Sequence, residues 1–149
     1  MKKSLLLFVL FLALPFFAKA QTTTQKVYAT IIKNQPEALQ ALLAAGADAN
    51  APVEMVPGFP TTFLILAASK GQLELVRMLV AHKAQIDKAD SFNSTALMAA
   101  ADQGSAEVAA FLLANGANPN AKDNDGKDVL AHAREGGSAD VIKLIHKAK

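Results

Sequence analysis

An acidic run, three histidines and a few serines are the side chains of this sequence that could do chemistry. Asp123-Asn124-Asp125-Gly126 has the alternation of a calcium loop, where carboxylate and amide oxygens before a turn glycine converge on a hard cation. An EF-hand ending its acidic run at Asp125-Gly126 would need a ligand at Ala121 and a glutamate at His132, and neither position supplies one. The run is therefore expected to be a turn. His82, His132 and His146 fall at unrelated points of three helical segments, and none has a second histidine at i, i+4 to share a zinc ion. They are expected at the surface or at helix ends. Asn93-Ser94-Thr95 matches a glycosylation sequon, yet it occupies a turn and a helix cap. Nucleophilic catalysis needs an activated Ser, Cys or Lys beside a base. The chain has no cysteine, and Ser69, Ser91, Ser94, Ser105 and Ser138 sit in turn or cap slots, where a hydroxyl serves the backbone. No Gly-x-Ser-x-Gly elbow or phosphate-binding glycine loop occurs. No enzyme activity, catalytic residue, cofactor or metal is expected.

The elements that carry these residues are repeats. Gly71, Gly104 and Gly137 lie 33 residues apart, with Asn34 in the same slot one unit earlier. Ala67-Ala68 and Ala100-Ala101 recur at the same interval, the next copy being Ala133-Arg134, and Ala84 and Ala117 repeat as well. The clearest unit is Asp90 to Ala121, with a cap at Thr95, an inner helix carrying Leu97, Ala100 and Ala101, and an outer helix carrying Val108, Phe111, Leu112 and Leu113. Gly116-Ala117-Asn118-Pro119-Asn120-Ala121 closes it. This pattern resembles the ankyrin repeat, which opens on Asp-x-x-Gly-x-Thr-Pro-Leu-His, closes on Gly-Ala-x-x-Asn-Ala and has this period. The expected fold is all-α: a solenoid of about four stacked helix–turn–helix units with finger loops, spanning roughly 25–51, 57–89, 90–122 and 123–149. No unit buries its apolar face alone, so stability is shared between neighbours.

Ahead of the repeats, Met1-Lys2-Lys3 is basic, Leu5 to Phe17 is almost wholly apolar, and Ala18-Lys19-Ala20 is a small-x-small cleavage site. Residues 1–20 thus read as a secretory signal peptide, too short in its apolar run to span a membrane. Cleavage after Ala20 would remove three of the 15 Lys+Arg residues and leave 12 against 13 Asp+Glu. The exported domain, 21–149, is then slightly acidic, which offers no case for nucleic acid. The expectation is a periplasmic or secreted protein that is monomeric and free of the membrane. Without cysteine it has no disulfides, so stacking alone must hold it.

Along the chain, the first unit has Pro36 at a helix start, a place that suits its missing N–H, then Leu39, Leu42 and Leu43, and Gly46 at the helix end. From Asn34 to Gly71 is 37 residues, four more than the regular interval. The excess lies within 52–60, Pro52-Val53-Glu54-Met55-Val56-Pro57-Gly58-Phe59-Pro60, which cannot be helix interior. An enlarged finger loop is expected there. Thr62 caps the following helix, and Lys83 replaces the usual closing glycine. In the last unit Asp128 takes the cap position of threonine.

The resemblance implies a protein-binding scaffold that recognises its partner through finger tips and inner helices. Carried over by register, the family's variable positions fall on Gly58, Phe59, Thr61, Ser69 and Lys70; on Ser91, Phe92, Ser94, Asp102 and Gln103; and on Asn124, Asp125, Lys127, Glu135 and Gly136. Phe59 and Phe92 share a finger slot, and Met55 and Val56 lie in the insertion beside them. These four form the expected apolar contact patch. Lys70, Asp102 and Gln103 are its expected polar flank, and Ser69, Asp125 and Glu135 complete the candidate protein-binding residues. The function expected is a non-enzymatic interaction module with another protein as partner. Its alternatives are an accessory or inhibitor of an exported enzyme, catalase-supporting or toxin-neutralising, and a small hydrolase.

Overall fold

The computed structural model describes residues 23–149; the leader and its cleavage point lie outside the described residues. Residues 23–32 form helix α1, followed by α2 (Pro36–Ala44), a hairpin of β1 (Val53–Val56) and β2 (Phe59–Thr61), α3 (Phe63–Ser69), α4 (Leu73–Ala81), α5 (Ala96–Gln103), α6 (Ala106–Ala114), α7 (Val129–Glu135) and α8 (Ala139–Ala148). The inner helices α3, α5 and α7 stack in one layer, and the outer helices α2, α4, α6 and α8 in a second. No helix among the described residues is long and apolar enough to cross a membrane.

Each inner helix starts on a side-chain oxygen that accepts an otherwise orphan N–H. The Ile65 N–H donates to Thr62 Oγ1 at 3.0 Å, Met98 to Thr95 Oγ1 at 3.4 Å, and Ala131 to Asp128 Oδ1 at 2.9 Å. Left-handed residues then reverse the chain between helices: Asn34 at φ 50, and Gly71, Gly104 and Gly137 at φ 65, 71 and 71. The outer helices close the same way, on Gly46, Lys83 and Gly116, and Lys83 adopts φ 67 despite its side chain. One hydrogen bond recurs at all three closures: Ala47 to Leu42 O (3.0 Å), Ala84 to Leu79 O (2.9 Å) and Ala117 to Leu112 O (3.0 Å). This bond answers a last-turn carbonyl that the helix itself leaves open.

The core is the seam between layers. Leu39, Leu75, Leu79, Leu97, Leu112 and Ile145 are fully buried, as are Ala67, Ala68, Ala100, Ala101 and Ala133, whose small side chains let inner helices approach closely. Between outer helices the Arg77 guanidinium lies 4.7 Å from the centre of the Phe111 ring, which accounts for a large aromatic left partly exposed.

The enlarged finger is built on an antiparallel hairpin that pairs Val53 with Thr61 and Val56 with Phe59. Gly58, at φ 83, makes its turn, and the register slips at Met55. Proline is compatible because Pro60 sits in a short strand that needs no N–H from it.

Asp128 joins the fourth unit to the chain end, since Lys149 Nζ donates to its Oδ2 at 2.7 Å. The hydrogen bond from Lys149, helped by the Ala131 N–H, holds the Asp128 carboxyl below its ordinary value. A depressed folded-state value means that this contribution is complete above the ordinary carboxylate range near pH 3.8 and fades as pH falls through the folded value. Asp128→Ala is expected to cost about 1 kcal/mol at neutral pH through the lost cap. In urea titrations, the gap from wild type should narrow below about pH 4. A gap that stays constant at acid pH would contradict this role.

Candidate functional site

Two groups of side chains stand out from the repeat scaffold. The first is apolar and lies on the fingers. Asp90 Oδ1 accepts from the N–H groups of Phe92 and Ser94, both at 2.9 Å, which winds the finger tightly and puts Asn93 at φ 60. Ser91 then reaches the hairpin, its N–H and its Oγ both donating to Pro60 O at 3.2 and 3.0 Å. On the other side the Asn124 N–H donates to Phe92 O at 3.0 Å. These bonds place successive fingers in register, so residues one repeat apart stand side by side.

The consequence is a stacked pair: the rings of Phe59 and Phe92 lie 5.5 Å apart between centroids and only 3° from parallel. Both remain open to solvent, at 48% and 55% exposure, and so do Met55 (55%) and Val56 (56%). Phe59 is therefore not folded back into the hairpin. With Ile65, Leu66 and Ser69 these groups line a shallow groove between the hairpin and α3. Ser69 presents little free polarity to it, because its Oγ donates to Leu66 O at 2.9 Å. Asp125 holds the same finger slot one unit on and is exposed, so the apolar row ends in a carboxylate.

Of the polar flank expected beside the rings, Lys70 and Gln103 are exposed at the ends of α3 and α5 but do not line the groove. Asp102 and Glu135 belong to the second group, a charged cluster between the third and fourth units. Its centre is His132, expected at the surface or at a helix end: it stands in the last turn of α7, but it is buried rather than at the surface, 8% exposed. Its Nδ1 lies 2.9 Å from Asp102 Oδ1 on α5, and its Nε2 lies 3.1 Å from Asp123 Oδ2 in the fourth finger. His82 is half-buried and His146 exposed. Asp123 Oδ1 accepts from the N–H groups of Asp125 and Lys127, both at 2.9 Å. Desolvation pushes the Asp123 carboxyl upward, but these backbone bonds and His132 outweigh it and leave the carboxyl below its usual value. Lys127 Nζ is 2.7 Å from Glu135 Oε1, and that hydrogen bond raises the ammonium above its usual value.

Asp123-Asn124-Asp125-Gly126 is thus a finger turn of the kind made by Asp90. Asp102, His132 and Glu135 each offer one ligand atom, all within 4.8 Å of one another. A sequence signal for this cluster existed in the register: His132 takes the slot held by Leu66 and Ala99 in the earlier units, a polar ring in an apolar column. Gly136, carried over as a recognition position, is a packing residue instead. A Cβ there would fall on the carbonyl oxygens of Ala101 and Asp102, so no larger side chain fits without moving α7.

A family model described as ankyrin repeats, in three copies, matches residues 27–123. That is most of the chain, and the protein belongs to the ankyrin repeat family. No curated protein matches it. Ankyrin repeats are generally protein–protein interaction modules.

Proposed function

We propose that this protein is a non-enzymatic binding module, exported to the periplasm, that seats an apolar segment of a partner protein on its second and third fingers. The observation that carries the reading is the stacked, exposed Phe59–Phe92 pair with Met55 and Val56 beside it. Rings left half in water cost solubility, and a contiguous group of them with methionine is the composition of a contact centre rather than of a scaffold surface. The hairpin supports the reading, because it lengthens one finger only and adds Met55 and Val56 to the groove wall. The leader residues support export.

The test compares Phe59→Ala and Phe92→Ala with wild type for partner capture from a periplasmic extract and for thermal stability. Each substitution should weaken binding of the captured partner by 2 kcal/mol or more, about the size of an interface anchor, while melting barely moves. Lower melting temperatures with binding intact would make the rings structural and remove the proposed surface.

A further inference from the structure

The cluster around His132 is outside the finger groove and has a charge pattern that the protein-binding reading does not use. We propose that Asp102, His132 and Glu135 form a site for one divalent d-block cation of the zinc class, clasping the third and fourth repeats. The ring comes first. Asp123, nearly buried with its side chain 10% exposed, faces Nε2 at 3.1 Å, and two backbone N–H groups fix that carboxylate in place. A carboxylate held behind one ring nitrogen sets the tautomer and turns the other nitrogen's lone pair outward, as behind histidine ligands generally. In the tautomer whose Nε2–H donates to Asp123, the Nδ1 lone pair would meet Asp102 Oδ1 at 2.9 Å. In that tautomer two acceptors face each other, and a cation, either a metal ion or a proton, must stand between them. A proton would suffice for the pair, but it leaves Glu135 out.

Glu135 follows His132 by three residues on α7, which puts both on one helix face, and its ligand oxygen is within 4.8 Å of the other two ligand atoms. Around a tetrahedral zinc ion, donors about 2.1 Å from the metal stand roughly 3.4 Å apart. Small side-chain rotations would therefore close the site. Asp102 and Glu135 are about half exposed, giving an entry path. Charge argues the same way: Asp102, Asp123 and Glu135 surround one ring, and among the described residues Lys127 is the only ammonium in salt-bridge contact with any of them. One ligand comes from α5 and two from α7, so binding would tie together repeats of a chain that has no disulfide.

The purified protein, treated with chelator, is titrated with zinc chloride by calorimetry and melted with and without zinc. One ion should bind per chain, and the melting midpoint should rise by several degrees. Asp102→Asn and Glu135→Gln should each weaken zinc binding tenfold or more, about the loss expected of a ligand or its support. His82→Gln and His146→Gln should leave it unchanged. Lys127→Met, which frees Glu135, should tighten it. Absence of zinc uptake, or an affinity indifferent to either carboxamide variant, or weaker binding in Lys127→Met, would overturn the site. None of these results bears on Phe59 or Phe92.

Discussion

Leu112→Ala is expected to cost about 2–5 kcal/mol of unfolding free energy, the range for truncating a fully buried leucine. Leu112 is wholly buried on α6, the outer helix packed by α4 on one side and α8 on the other. Neighbours held from both sides cannot collapse into the space left by the missing atoms, so the cavity persists and its cost adds to the lost transfer energy. Leu39 is just as buried but belongs to α2, with α4 as its only outer-layer neighbour among the described residues. In a linear array an end unit can loosen without the rest. Leu39→Ala should therefore cost less and make the urea transition less steep. Equal losses with equal slopes would contradict a fold whose stability is shared between neighbouring units.

What could be foreseen and what could not divides by the range of the interaction. Caps at Thr62, Thr95 and Asp128, and the reversals at Asn34, Gly71, Gly104 and Gly137, are local devices, and residue type with spacing names them. Lys83 shows that the register outranks propensity: the sequence made it a poor closure, yet it takes the same left-handed conformation as Gly46 and Gly116, at a cost the flanking helices can bear. The nearness of Phe59 and Phe92 was also readable, since equal slots in adjacent repeats must be neighbours. Three things were not. The hairpin depends on pairing of Val53 with Thr61 and of Val56 with Phe59, which the loop composition does not specify. His132 needs Asp102, 30 residues away, and Asp123, nine away, and no helical spacing connects them. Gly136 read as a recognition position because it directly precedes the inter-helix glycine, Gly137, and nothing in the register shows how close α5 lies to it.

That last residue gives the sharpest test of how the inner helices pack. Gly136 has φ −69 and ψ −11, a conformation open to any L-residue, so backbone strain cannot explain glycine there. Contact does: an added Cβ would sit on Ala101 O and 2.6 Å from Asp102 O, both backbone atoms at the end of α5 that cannot rotate away. Gly136→Ala must therefore push the end of α7 off α5. An overpacked contact of this kind costs typically 1–3 kcal/mol, and here the displacement would also draw Asp102 away from His132, now 2.9 Å apart. Lys70→Ala and Gln103→Ala probe the same slot in the two preceding repeats, where the side chains are exposed, and each should change stability by less than about 0.5 kcal/mol. Urea unfolding of the three variants measures the contrast directly. If Gly136→Ala were as mild as the other two, the fourth repeat would not press against the third at this point, and the close approach that also positions Asp102 beside His132 would be lost with it.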